Sequence, residues 1–223
     1  MTLKRLLYPP RCPFCGRIMA QEGACTECLR KATELTAVIC KRCGADLEHC
    51  SCFGRSFAFR RNVSAFLYEH SARNLVLRFK QRRKPQLAKF MSRRMYYHVM
   101  ARLGTEFSAV TYVPQTKKKS MSRGYCPAKL LAEGLAEQLK VDCVKVLGRC
   151  GSREQKYVTG NERWENAKRN YKRLKGATVH GKVLLVDDLM TTGATLNACA
   201  ALLLEAGADE VYCATFAIAA KNS

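Results

Sequence analysis

The segment Val183-Leu-Leu-Val-Asp-Asp-Leu-Met-Thr-Thr-Gly-Ala-Thr195 runs from an apolar strand through a turn of small residues into a helix. Four consecutive apolar residues, Val183 to Val186, read as a buried strand. Asp187 and Asp188 stand where that strand leaves the sheet, the edge at which open α/β folds bind ligands. The backbone N–H groups of Thr191, Thr192, Gly193, Ala194 and Thr195 can surround a phosphate at the start of the next helix, where the dipole favours an anion. Gly193 permits close backbone approach, and the threonine hydroxyls add donors. The two carboxylates are then placed to accept hydrogen bonds from the vicinal hydroxyls of a ribose. A plain βα unit with Asp188 or Thr191 as helix cap is the simpler alternative. Two adjacent acids at the end of a buried strand weigh against it, because such charges need partners.

The flanking sequence keeps the same rhythm. Phe107–Val113 reads as a buried strand ending at Pro114, and Leu131, Leu135 and Leu139 mark a helix. Val141–Leu147 is expected to be a second strand, Leu196–Ala206 the helix after the loop, and Glu210–Ala217 a last strand. This βαβ alternation predicts an α/β fold, a mostly parallel sheet flanked by helices with right-handed crossovers. Upstream, Ala72, Leu75, Val76 and Phe79 recur at helical spacing before Pro85. Leu87, Phe90, Met91, Met95, Val99 and Leu103 mark a further helix with Gly104 as its stop.

Of 13 cysteines, eight lie in close pairs between Cys12 and Cys52. Cys126, Cys143, Cys150, Cys199 and Cys213 are scattered through segments that read as core or loop. Paired cysteines in a chain with no secretory signal usually bind metal. A CxxC turn presents two thiolates to one ion, and two such turns complete a closed tetrahedral site, so the role is structural. Cys12, Cys15, Cys25 and Cys28 form one set; Cys40, Cys43, Cys50 and Cys52 form the other. Two zinc ions are expected; one metal with leftover thiols, or redox chemistry, is the alternative. An interleaved grouping fits the spacing as well as the sequential one. Residues 1–54 are thus expected to form a small N-terminal double zinc-ribbon domain, followed by the α/β domain over 55–223.

The formal charge of +21 predicts an attractive field for polyanions. Acids are nearly absent from residues 53–106, Glu69 and Glu106 being the exceptions. The Arg/Lys-rich stretch 55–102 interleaves Phe57, Phe59, Phe66, Tyr68, Phe79, Phe90, Tyr96 and Tyr97, a composition suited to single-stranded DNA. Most of those aromatics equally fit core positions at helical or strand spacing; the net charge does not depend on them. No apolar run reaches the roughly 20 residues of a membrane helix, so no membrane insertion is expected and a cytoplasmic location is.

The segment 183–195 matches in full the thirteen-residue pattern of type I phosphoribosyltransferases, which bind 5-phosphoribosyl-1-pyrophosphate (PRPP): four hydrophobics, two acids, four residues, Gly, one residue, Thr. The chain as a whole resembles the ComF family, cytoplasmic competence and DNA-uptake factors with a zinc ribbon before a phosphoribosyltransferase-like domain. Leu7-Tyr-Pro-Pro-Arg-Cys-Pro-Phe-Cys-Gly16 is close to how such proteins begin, and Phe79-Lys80 echoes the family's Leu-Lys stretch. Val113-Pro114 followed by Arg123-Gly124-Tyr125 is similar to its Val-Pro…Arg-Gly-Phe-Asn-Gln segment, with Cys126-Pro127 in place of the two amides. Leu147-x-Arg149, Gln155, Arg163 and Asn166 fit its Leu-x-Arg…Gln…Arg-x-x-Asn pattern.

The resemblance implies a pyrophosphate loop at Pro114–Lys117, with Lys117 and Arg123 as anion contacts. It also implies a mobile loop over 149–170 carrying Arg149, Gln155, Arg163 and Asn166, and Mg²⁺ entering with PRPP. It implies action on incoming single-stranded DNA in natural transformation, with the uptake machinery's helicase and recombination-mediator proteins as partners. The alternative is an active phosphoribosyltransferase with PRPP as donor. No residue stands out as catalytic, and no stretch resembles a known acceptor hood.

Overall fold

The computed structural model describes residues 9–36, 39–50, 52, 55–150, 167 and 169–220. Four strands form a fully parallel sheet in the order β1–β6–β5–β2: β1 Arg61–Leu67, β2 Ala109–Tyr112, β5 Gly181–Met190 and β6 Ala208–Ile218. After a short helix in the cysteine-rich segment, α1 (Thr26–Arg30), helices α2 (His70–Lys80), α3 (Leu87–Leu103) and α5 (Pro127–Leu139) cover one face, and α6 (Ala194–Glu205) covers the other. The apolar run of β5 explains this layering. Leu184 and Val186 point into the core with α2, α3 and α5, whereas Val183 and Leu185 point into the core with α6. All four side chains are fully buried, as a central parallel strand covered on both faces requires.

The helical stops and starts follow the sequence. α3 ends at Gly104, which takes φ +75°. A short helix, α4 (Lys117–Arg123), is capped by the Thr116 hydroxyl, which accepts from Lys119 N, and closed by Gly124 in the left-handed region.

One expectation about strands is corrected, and one strand is added to those expected. Val141–Leu147 is not a strand: it runs beside β2 only through the Val110–Cys143 bridge, with Val110 N donating to Asp142 O and Val144 N to Val110 O, each at 2.9 Å. β2 is four residues long and offers few pairing positions, so the chain leaves it. It then forms a separate antiparallel pair, β3 (Leu147–Arg149) with β4 (Tyr171–Arg173). β1 was missed altogether. Its Asn62 and Ser64 break the apolar pattern, yet both are buried and bonded: Ser64 Oγ lies 2.7 Å from Thr215 Oγ1, and Asn62 Nδ2 donates to Ser64 Oγ and to Cys43 O.

The cysteine-rich segment closes the outer edge of β1, an edge that would otherwise expose unpaired backbone groups. Leu35 N donates to Ala65 O and Leu67 N to Thr33 O. Glu34 in the same linker receives both oxygens' worth of hydrogen bonding from α3: Arg94 Nη2 at 2.5 Å and His98 Nε2 at 2.8 Å. Arg102 Nη1 lies 2.6 Å from His98 Nδ1. A guanidinium can only donate, so Nδ1 accepts and Nε2 carries the proton that Glu34 receives. Burial holds the His98 pKa below the ordinary histidine value, which keeps this ring neutral.

Candidate functional site

A cleft of about 310 Å³ opens at the carboxyl edge of the sheet. Its floor is the end of β5, with Asp187, Asp188 and Leu189, and Thr195 of α6 stands beside them. Its walls bring Lys80 from the end of α2, Pro114 and Gln115 from the loop after β2, Lys119 and Arg123 from α4, and Arg149 with Tyr171 from the β3–β4 pair. Four cations therefore face two carboxylates, a set suited to a phosphorylated sugar: anion contacts on the walls, diol acceptors on the floor.

The carboxylates differ. Asp188 is 4% exposed and pairs with Lys80 Nζ at 2.8 Å. Burial alone would lower the Lys80 pKa; the Asp188 and Asp187 charges outweigh it and hold the ammonium above the usual lysine value. Asp187 is half-buried and accepts from Asp188 N at 2.8 Å through Oδ1. Burial and then repulsion from Asp188 push its carboxyl up to about 8, against which Lys80 works. A carboxylate this reluctant to ionise gains most from an incoming donor such as a sugar hydroxyl.

The turn from Thr191 to Gly193 leads straight into α6. Gly193 caps the helix at φ +80°, where a side chain is strained, and an added Cβ would come within 2.8 Å of Met190 Cε and 2.9 Å of Phe57 Cε1. Thr192 Oγ1 accepts from Ala194 N. The loop is braced from outside by Asn197 Oδ1, which accepts from Ala58 N at 2.7 Å.

Of the residues expected on the pyrophosphate side, Arg123 lines the cleft, its Nη1 donating to Gln115 Oε1 and its Nε to Lys80 O. Arg149 lines it too, donating to the Tyr171 hydroxyl at 3.1 Å while its Nε has no hydrogen-bond partner among the described residues. Lys117 is exposed at the start of α4 and off the cleft; Lys119, two residues on, lines it. Gln155, Arg163 and Asn166 lie outside the described residues. Cys126 stands in the wall where the family's amide is replaced. Lys80, Lys119 and Tyr171 were not singled out for the site, whereas Gln115 belongs to the expected pyrophosphate loop. Lys80 had a signal, the Phe79-Lys80 echo; Tyr171 had none, because only the β3–β4 pairing carries it to the cleft.

Eight cysteines assemble as the sequential grouping predicts. The thiols of Cys12, Cys15, Cys25 and Cys28 lie within 4.8 Å of one another, as do those of Cys40, Cys43, Cys50 and Cys52. Four thiolates with no open position are the donor set of structural zinc, so both tetrads fit it. The first meets α2: Arg78 Nη1 donates to the carbonyls of Cys12 and Pro13, and Asn74 Nδ2 to Phe14 O. The second meets β1 and the phosphate loop. A void of about 10 Å³ is lined jointly by Cys43, Ala45 and Cys52 and by Met190, Thr191 and Thr192.

Comparison with known proteins matches both halves. Residues 3–59 match the double zinc ribbon domain family, and residues 121–223 the phosphoribosyl transferase domain family. The chain is 27% identical to Competence protein F of Haemophilus influenzae, over 90% of this chain and 93% of that one. It is 27% identical to DNA utilization protein YhgH of Escherichia coli K12, covering 93% of this chain and 97% of that one. It is 25% identical to Competence protein ComFC of Bacillus subtilis, covering 83% and 80%. Over most of its length the chain is similar to competence proteins of the ComF kind, and it joins a double zinc ribbon to a phosphoribosyl transferase domain. The double ribbon and the phosphoribosyltransferase-like parallel sheet occur together in this chain, which accounts for the cysteine tetrads and the cleft in one architecture. No helix among the described residues is long and apolar enough to cross a membrane.

Proposed function

We propose that this protein belongs with the ComF family, acts in the cytoplasm on incoming single-stranded DNA during natural transformation, and holds PRPP, or another ribose phosphate, in the cleft above Asp187 and Asp188. The observation that carries the second part is the convergence of Lys80, Lys119, Arg123 and Arg149 on the two acids and Thr195. The diol would rest on Asp187 and Asp188, the 5′-phosphate on the Thr191–Thr195 backbone, and the pyrophosphate on the wall cations, with Mg²⁺ neutralising its remaining charge. The DNA part rests on the relatives' names, competence and DNA utilization, and on a charge of +21 that one small ligand does not need. By the same resemblance its partners are the uptake helicase and recombination-mediator proteins.

Thermal unfolding with and without Mg²⁺ and PRPP tests the cleft. Stabilisation of about 2.7 kcal/mol is expected at a hundredfold excess over Kd, and Asp187→Ala or Asp188→Ala should abolish it. Stabilisation that survives both substitutions would place the ligand elsewhere. A second reading, turnover of PRPP, is favoured by the complete thirteen-residue loop. Pyrophosphate release against a panel of acceptors, with and without DNA, separates turnover from binding alone.

A further inference from the structure

Outside the cleft, the largest unexplained feature is charge gathered at its mouth. Arg82, Arg83 and Lys84 form an exposed turn two residues beyond Lys80, and Arg83 is held there at φ +49°, a conformation that non-glycine residues adopt seldom. Lys117 and Lys118 open α4, a helix with no buried side chain and with Met121 83% exposed. The end of α2, two residues before that turn, meets α4 and the residues just after it at the cleft wall, where Arg123 Nε donates to Lys80 O at 2.6 Å and the Tyr125 hydroxyl donates to Phe79 O.

None of these five cations forms an ion pair with a carboxylate among the described residues. Between residues 70 and 132 the sequence holds a single acid, Glu106. A merely solvated face mixes both signs of charge; this one is of one sign and repels itself. A membrane surface is a poor match, because α4 offers one exposed apolar side chain where an interfacial helix needs an apolar face.

We infer that this rim, the Arg82–Lys84 turn together with α4, is the track for the backbone of single-stranded DNA, and that DNA and a ribose phosphate bind antagonistically. The inference rests on the DNA-handling reading above. The antagonism follows from position: Lys119 and Arg123 belong to α4 and also line the cleft, so a strand on the rim and a pyrophosphate in the cleft draw on the same cations. Such coupling is reciprocal, each ligand weakening the other by the same factor.

The test is fluorescence anisotropy of a labelled oligothymidylate with the full chain across a series of salt concentrations. The variant combines Arg82→Ser, Arg83→Ser, Lys84→Ser and Lys118→Ser, all at exposed positions. Four lost phosphate contacts, at about 0.7 each, should reduce the log–log salt slope by about 3. The variant should keep its stabilisation by Mg²⁺ and PRPP, which also shows that it is folded. Saturating PRPP should weaken oligothymidylate binding to the unsubstituted protein by about fivefold or more. A steep slope in the unsubstituted protein that is unchanged in the variant would overturn the rim while sparing the DNA-handling reading. No salt-dependent binding by the unsubstituted protein would overturn that reading, and the rim with it. Rim-dependent binding that PRPP leaves untouched would overturn the antagonism.

Discussion

The two cysteine tetrads have the same donor set and different surroundings. The first is seated on the helical face: Cys12 and Phe14 are fully buried, and the Phe14 ring meets Phe66 of β1 and Phe90 of α3 edge-on at 5.9 and 5.5 Å. The guanidinium of Arg78, 9% exposed, approaches its thiols and hydrogen-bonds its carbonyls, a cation set against the net negative charge of a zinc–tetrathiolate centre. The second tetrad is seated on the opposite face, where Arg55 lines the same small void as Cys43 and Cys52. Its Cys43 carbonyl accepts from Asn62 Nδ2, its Gly44 lies against the backbone of β1, and its Cys43 and Cys52 stand across a small void from Thr191 and Thr192. One tetrad therefore anchors a helix, whereas the other buttresses the phosphate loop. Equal chemistry need not mean equal consequence.

Complete removal of zinc should produce the largest effect. Chelation should release two equivalents by elemental analysis and unfold the ribbon, since each structural site contributes about 10–16 kcal/mol to folding. A metal-free yet folded preparation would refute the assignment of both tetrads. Single substitutions then separate the sites. Cys15→Ser and Cys52→Ser should each drop the zinc content to one equivalent and lower stability. Only Cys52→Ser should also remove the stabilisation by Mg²⁺ and PRPP. Equal loss of that response in both variants would dissolve the distinction between anchor and buttress.

Two backbone-proximal substitutions sharpen the contrast at smaller cost. Gly44 takes φ +73°, and an added Cβ would lie 2.4 Å from Asn62 O of β1, a backbone atom that cannot swing aside. Gly44→Ala should cost about 3 kcal/mol by denaturant unfolding and weaken the ligand response, because the strain falls on the seat of the second tetrad. Arg78→Met should cost about 2–3 kcal/mol, the worth of its charge-assisted hydrogen bonds to the Cys12 and Pro13 carbonyls, with the ligand response intact.

The phosphate loop and the cysteine pairs were legible because each is local: the chemistry sits in consecutive residues whose spacing has one physical use. The layering was legible from the same strand, where Val183 to Val186 are apolar without alternation. Other features depend on residues far apart in sequence. β1 hid behind Asn62 and Ser64, which are polar because they satisfy Cys43 and Thr215 rather than water. Several of the aromatics set out for base stacking went inward: Phe59, Phe66 and Phe79 are buried, while Tyr97 is 48% exposed beside Arg93. Lys80 and Tyr171 reach the cleft only through the end of α2 and the β3–β4 pair. Composition registers that such residues are present, not which wall they join.

The smallest effect concerns a single proton and opposes stability to function at the loop that the second tetrad supports. The Asp187 carboxyl is raised to about 8, chiefly by burial and then by Asp188. Between its ordinary value and that one, the folded protein holds a proton that the unfolded chain has released. Stability must then fall as pH rises through this window and level off above it. Asp187→Asn removes the titration and the repulsion while keeping the shape. The variant should melt about 2–4 °C higher at pH 8, a gain of about 1 kcal/mol, and lose most of that advantage near pH 4. It should also lose the response to PRPP, because the amide cannot replace a carboxylate facing two hydroxyl donors. Melting curves across pH, with and without ligand, read both quantities from one protein. A variant no more stable at pH 8 than at pH 4, relative to the unsubstituted chain, would show that Asp187 is not held under strain for its ligand.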